Sequence, residues 1–134
     1  MTGLSGSERR FSSDSSSAGD ARAFVSGVLL QAGVGRQATA EFELIVSELV
    51  TNAVEHGDGG DVAVRVDVSD AEWVVLTITS GISARTPPLD PASWTVAKAS
   101  QPSGRGLGIV KELAQAIDVV RDGDSLVITC RRRR

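Results

Sequence analysis

The scarce residues narrow the field first. Among 134 residues the chain has one cysteine, one histidine and one methionine, no tyrosine, and only 4% aromatic side chains. Cys130 alone can make neither an internal disulfide nor a zinc cluster, so a disulfide-stapled secreted scaffold and a structural zinc domain are both excluded. That usage points to the cytoplasm. No apolar run approaches the roughly 20 residues that cross a bilayer, and the stretch 25–30 is broken by Ser26 and Gly27. No basic-then-apolar leader opens the chain, so neither export nor a membrane partner is expected. Positive charge is not in excess either. The 14 Lys and Arg against 17 Asp and Glu leave a net charge of -3, which speaks against direct nucleic-acid binding. The one basic run, 131–134, reads as a solvated tail.

What remains is ordinary globular composition, 41% hydrophobic and 23% charged, in a length suited to one compact domain. Residues 1–19 are rich in Ser and Gly and read mostly as a flexible segment, apart from Arg9-Arg10-Phe11, which fits a short edge strand. From Asp20, read as an N-cap, the residues Ala21, Phe24, Val25, Val28 and Leu29 recur at helical spacing until Gly33 and Gly35. A second helix carries Phe42, Ile45, Val46, Leu49, Val50 and Ala53 on one side and ends at His56-Gly57. Val62, Val64, Val66 and Val68 alternate as a strand, and 73–79 is β-branched and apolar throughout, with a turn at 69–72 between them. The stretch 82–103 holds all four prolines and little periodicity, and an irregular segment of about 20 residues in a small domain reads as a functional lid. A third helix over Ile109, Val110, Leu113, Ala114 and Ile117 follows, then a hairpin of Val119-Val120 and 126–130 turned at Asp122-Gly123. The expected fold class is α+β: a two-layer sandwich whose mixed, mostly antiparallel sheet is covered on one face by three helices.

Two places carry chemistry. Glu48, Asn52 and His56 are four apart and stack on one helix face, with Glu41 and Glu55 close to it. An Asn amide oxygen can ligate Mg²⁺ beside substrate phosphates, and a carboxylate one turn away can take a proton from an attacking hydroxyl. A Glu-x-x-x-Asn spacing by itself equally fits a solvated helix face. At the third helix, Gly104-Arg105-Gly106-Leu107-Gly108 combines close backbone approach, helix-terminal N–H donors and a cation, the parts of a phosphate cradle. It also fits a loop simply turning into a helix. No strand runs directly into the glycines and no Gly-Lys-Ser/Thr follows, so dinucleotide-fold and Walker-type loops are excluded.

Together, Glu48-Leu-Val-Thr-Asn52-Ala-Val-Glu-His56-Gly57 resembles the N-box of the histidine-kinase/Hsp90-like (GHKL) ATPases, and Gly104-Arg-Gly-Leu-Gly108-Ile-Val resembles their second glycine box. The resemblance spans roughly residues 20–130 and implies a Bergerat-type ATP-binding domain. The small size is similar to the anti-sigma-factor serine kinases. The lone His56 leaves no phospho-accepting histidine for a complete sensor kinase.

By resemblance, Asn52 holds Mg²⁺ and Glu48 is the base that activates a serine or threonine hydroxyl. Gly104, Arg105, Gly106, Leu107 and Gly108 hold the phosphates of ATP. The implied protein is an ATP-dependent serine/threonine kinase of the anti-sigma type, which sequesters a sigma factor and phosphorylates an antagonist; the family also implies a homodimer. His56 is read as a helix-terminal charge offsetting the dipole. The pattern departs at the first glycine box, Asp-x-Gly, where this chain has Thr79-Ser80-Gly81. Losing a hydrogen bond to a charged group is worth about 1.5–3 kcal/mol, or roughly ten- to a hundredfold in affinity. Weaker or less selective adenine binding at Thr79 and Gly81 is expected. The alternative is a degenerate, catalytically inactive module of the same fold that works by sequestering its partner.

Overall fold

The structure is a computed structural model and describes residues 6–82 and 105–134. Along the chain these form β1 (Gly6–Phe11), α1 (Ser17–Gln31), α2 (Arg36–His56), β2 (Val62–Asp67), β3 (Trp73–Gly81), α3 (Arg105–Leu113), β4 (Ala116–Asp122) and β5 (Ser125–Arg133). The spacing of Phe42, Ile45, Val46, Leu49, Val50 and Ala53 puts one apolar stripe along α2, and all six are buried. Burying each of the larger side chains contributes about 1.5–3 kcal/mol. On α1 the stripe is Ala21, Val25 and Leu29. Gly33, at φ +82°, ends that helix, and Gly35 is the N-cap of α2.

The strands pair in the order β1-β2-β3-β5-β4, every pair antiparallel. The expected mixed sheet is thus antiparallel throughout, because each neighbouring pair among β2, β3, β5 and β4 runs head to tail. Its two faces follow from period two. One face presents Val64, Ile78 and Ile128 in one rung, and Val66, Leu76, Cys130 and Ile117 in the next. These pack with α1, α2 and Val110 of α3 in a single core. The other face carries Arg65, Thr77, Thr129 and Asp118 in register.

Several boundaries differ from the sequence reading. The N-terminal segment holds six residues of edge strand, and α1 begins at Ser17 instead of Asp20. Asp14 explains the earlier start: its carboxylate accepts hydrogen bonds from Ser16 N–H (2.9 Å) and Ser16 Oγ (2.6 Å), just before the first helical turn. The third helix stops at Leu113, and Ile117 belongs to β4, opposite Cys130. Gln115 N–H donates to Arg131 O at 2.9 Å and so turns the chain into the sheet.

The basic run is likewise no solvated tail. Arg131–Arg133 continue β5 beside Trp73–Val75. Arg131 and Arg133 lie over the Trp73 ring, 4.9 and 4.8 Å from its centroid, while Arg132 turns to the helix side. Period two splits three like charges between an aromatic face and a largely buried ion pair.

Candidate functional site

The polar stripe of α2 divides by partner. Glu41, at its N-terminal end, is bound to Arg132 Nη2 at 2.5 Å. Arg132 also donates from Nε to Leu113 O at 3.1 Å and sits 5.7 Å from the Phe42 ring centroid. One guanidinium therefore joins β5, α2 and the end of α3. Glu55 and His56, at the other end, are exposed and 3.8 Å apart. His56 closes the last turn, where a cation is favoured by the helix dipole.

Between these ends, Glu48 and Asn52 are half-buried. Neither has an ion pair or side-chain hydrogen bond among the described residues. Half-buried polar groups that the fold leaves unpaired are available to a ligand. No cluster of three His, Cys, Asp or Glu exists among the described residues. A cation here would rely on Asn52 together with phosphates and water, which suits Mg²⁺.

The end of β3 closes on the end of α2. Asp58 N–H donates to Gly81 O at 3.0 Å, and a Cβ on Gly57 would lie 3.0 Å from that same oxygen. Gly57 N–H in turn donates to Ala53 O, the neighbour of Asn52. This contact brings the Asn52 turn and the last residues of β3 to one end of the two-layer sandwich.

The stretch matched to the first glycine box ends β3. The burial of β3 alternates, with Val74, Leu76, Ile78 and Ser80 buried and Trp73, Val75, Thr77, Thr79 and Gly81 only partly so. Thr79 belongs to the face opposite the helices, in register with Ala63 and Val127. Ser80 faces the helices, 7% exposed. At Gly81 a Cβ would meet the carboxylate of the exposed Asp58 side chain. Ser80 was not singled out from sequence, although the Val74/Leu76/Ile78 alternation would have found it.

At the third element, Leu107 is half-buried against the core, and Gly108 and Val110 are buried. Helix α3 starts at Arg105, so Gly106 and Gly108 lie inside it. The first backbone N–H groups of a helix have no partner within it, and here they belong to the glycine-rich sequence. Gly104 and the expected lid lie outside the described residues, except Ile82. That residue is 5% exposed, joins the core, and donates its N–H to Asp124 O at 2.8 Å.

The model of the histidine kinase-like ATPase domain matches residues 11–131. The chain belongs to this family. Nucleotide binding is the coarse function that membership carries, and the match reaches from the last residue of β1 into the arginine run of β5. Solved structures show the same fold. A structure of the RsbU and RsbW domains of Rv1364c from Mycobacterium tuberculosis matches with a TM-score of 0.67 at 17% identity, covering 95% of this chain and 32% of that one. The SiaB–SiaC complex from Pseudomonas aeruginosa matches with 0.64 at 12% identity, covering 96% and 89%. The histidine kinase domain of the blue-light activated kinase EL346 from Erythrobacter litoralis gives 0.50 at 22% identity, over 73% and 45%. The chain spans about a third of the first of these. No curated protein sequence matches it significantly. Among the described residues no helix is long and apolar enough to cross a membrane.

Proposed function

We propose that this domain is an anti-sigma regulatory factor that binds Mg-ATP and phosphorylates an antagonist protein on serine or threonine while sequestering a sigma factor. One observation carries the reading. Glu48 and Asn52, one turn apart on α2 and half-buried, have no ion pair or side-chain hydrogen bond among the described residues, whereas Glu41 on the same stripe is tied to Arg132. Binding alone gives no reason to keep a carboxylate and an amide unpaired at that spacing. Phosphate transfer does. Asn52 would hold the metal, Glu48 would accept the proton of the partner's hydroxyl, and the backbone of Arg105, Gly106 and Leu107 would face the phosphates. Bound Mg-ATP supplies the transferable phosphoryl group.

The likeness in fold to a chain with an RsbW domain, and to a complex of SiaB with SiaC, supports a protein partner for this domain too. A homodimer and a cytoplasmic setting belong to the same proposal. The test is calorimetry with Mg-ATP, followed by transfer of labelled phosphate to proteins captured on the immobilised domain. Asn52→Ala should abolish the Mg²⁺-dependent part of binding. Glu48→Gln should leave binding intact and remove transfer; transfer that persists in Glu48→Gln would refute the assignment of the base.

The second reading is a sequestering module without catalysis. It is favoured by the end of β3, where no carboxylate faces the helices and Ser80 stands there instead. No heat with millimolar Mg-ATP, together with undiminished partner capture, would decide for it.

A further inference from the structure

We infer that Ser80, and not Thr79, is the side chain that meets the nucleobase, and that its hydroxyl makes this a purine nucleoside triphosphate site with little preference between adenine and guanine. The inference rests on the nucleotide reading above and assigns the base-selecting residue within it.

Three observations carry it. The first is the phase of β3: Ser80 lies on the same face as Val74, Leu76 and Ile78, which pack against the helices, while Thr79 lies on the other. The second is the state of its hydroxyl. Ser80 is 7% exposed, yet its Oγ has no hydrogen-bond partner among the described residues. The third is position. Ser80 immediately precedes Gly81, whose carbonyl is held by Asp58 N–H at the end of α2. That end carries Asn52, one residue before Ala53, to which the Gly57 N–H is bonded.

The chemistry of a hydroxyl then sets the selectivity. A carboxylate only accepts, so it favours the 6-amino group of adenine and disfavours the 6-oxo group of guanine. A serine hydroxyl has one rotatable donor and two acceptor lone pairs, and it can serve either group. Thr79 cannot compensate, because a one-residue step in a strand reverses the side chain. Gly81 cannot contribute a contact on the Thr79 side, where the Asp58 carboxylate already lies.

The experiment is competition of ATP and GTP, each with Mg²⁺, against a fluorescent nucleotide analogue on the full chain. The two affinities should lie within about threefold of each other in the wild type. Ser80→Asp should shift the ratio toward ATP by about tenfold or more, the factor for one charge-assisted hydrogen bond. Thr79→Asp should leave the ratio unchanged. Ser80→Ala, which fits the buried position, should weaken both nucleotides alike and keeps the test decisive if Ser80→Asp does not fold. A wild-type preference above tenfold for either purine would overturn the inference, as would a shift caused by Thr79→Asp or a Ser80→Ala protein that binds both as the wild type does. Failure of the wild type to bind either nucleotide overturns the nucleotide reading itself, a result distinct from binding with the wrong selectivity.

Discussion

Arg132 ties three elements of the fold together, and the structure allows the size of its effect to be worked out. Its side chain is 18% exposed, and that of its partner Glu41 is 23% exposed. Exposed ion pairs contribute about 0–1 kcal/mol, whereas removing one member of a fully buried pair costs about 3–5 kcal/mol. A pair roughly four-fifths buried belongs between those limits, near 2 kcal/mol. The Nε–H bond to Leu113 O disappears in the same substitution and leaves a carbonyl at the end of α3 without that donor. Arg132→Met retains an unbranched apolar stem beside Phe42 and removes the guanidinium alone. For a domain of this length each kcal/mol moves Tm by about 3–4 °C, so a drop of roughly 6–8 °C is expected in a thermal melt. Glu41→Gln should weaken the same contact, and the double variant should show a coupling of about 1–2 kcal/mol. Hydrogen exchange should place the added opening at the C-terminal end of α3. A Tm within about 2 °C of wild type, or single effects that add without coupling, would show that the guanidinium is no clamp.

Four further outcomes follow from local surroundings. Burial pushes the Cys130 thiol from 9.0 up to about 12, so the folded chain keeps it neutral. Its share of stability is complete below the unfolded value and is lost as pH rises from there toward the folded one. A thiol reagent at pH 8 should therefore label Cys130 only as fast as the protein opens, with urea accelerating the reaction; immediate labelling of the native protein would contradict its burial. The Asp14 carboxyl is held below its ordinary 3.8 by the hydroxyl and N–H of Ser16 and the hydroxyl of Ser12. Its contribution is present above the ordinary value and fades as pH falls through the lower folded one, so Asp14→Asn should flatten the acid limb of a circular-dichroism titration and loosen the start of α1. Gly57→Ala should destabilise by about 2 kcal/mol, because its Cβ would meet the backbone oxygens of Ala53 at 2.4 Å and Gly81 at 3.0 Å. For Gly81→Ala the nearest atoms are those of the exposed Asp58 carboxylate, so urea melts should show less than about 1 kcal/mol, removed by adding Asp58→Ala.

Much of the architecture was legible because helical period and β-alternation report burial directly. The stripes of α1 and α2, the Asp122-Gly123 turn with Gly123 at φ +60°, and the 69–72 connection all follow from local pattern. The longer edge strand β1 was only partly legible, since Gly6-Ser7-Glu8 has no apolar alternation of its own. Pairing with the buried strand β2 holds it in place. The arginine run misled for a related reason. A block of like charge ordinarily stays in water, but here Trp73 covers two members and Glu41 pairs with the third. Those contacts join residues dozens of positions apart, and no local window contains them.

The parity of β3 is where a small ambiguity becomes chemistry. Read alone, Val74, Leu76 and Ile78 make an acceptable buried set, and so do Val75, Thr77 and Thr79, since both are apolar or β-branched. The neighbouring strands remove the choice. Arg65 and Asp67 on β2, with Thr129 and Arg131 on β5, stand in register with Thr77 and Val75, and burying that face would strand four hydrogen-bonding side chains in the core. Val64, Val66, Ile128 and Cys130 stand in register with Ile78 and Leu76, and they seal the opposite face without such a cost. Once that face is inside, Ser80 must follow it and Thr79 must not. The glycine that anchors the motif match and the side chain that can face a base are therefore separable, because Gly81 shares the phase of Thr79 and Ser80 does not. The base end of the proposed site is decided by Arg65, Asp67 and Arg131, whose side chains lie on the face away from it.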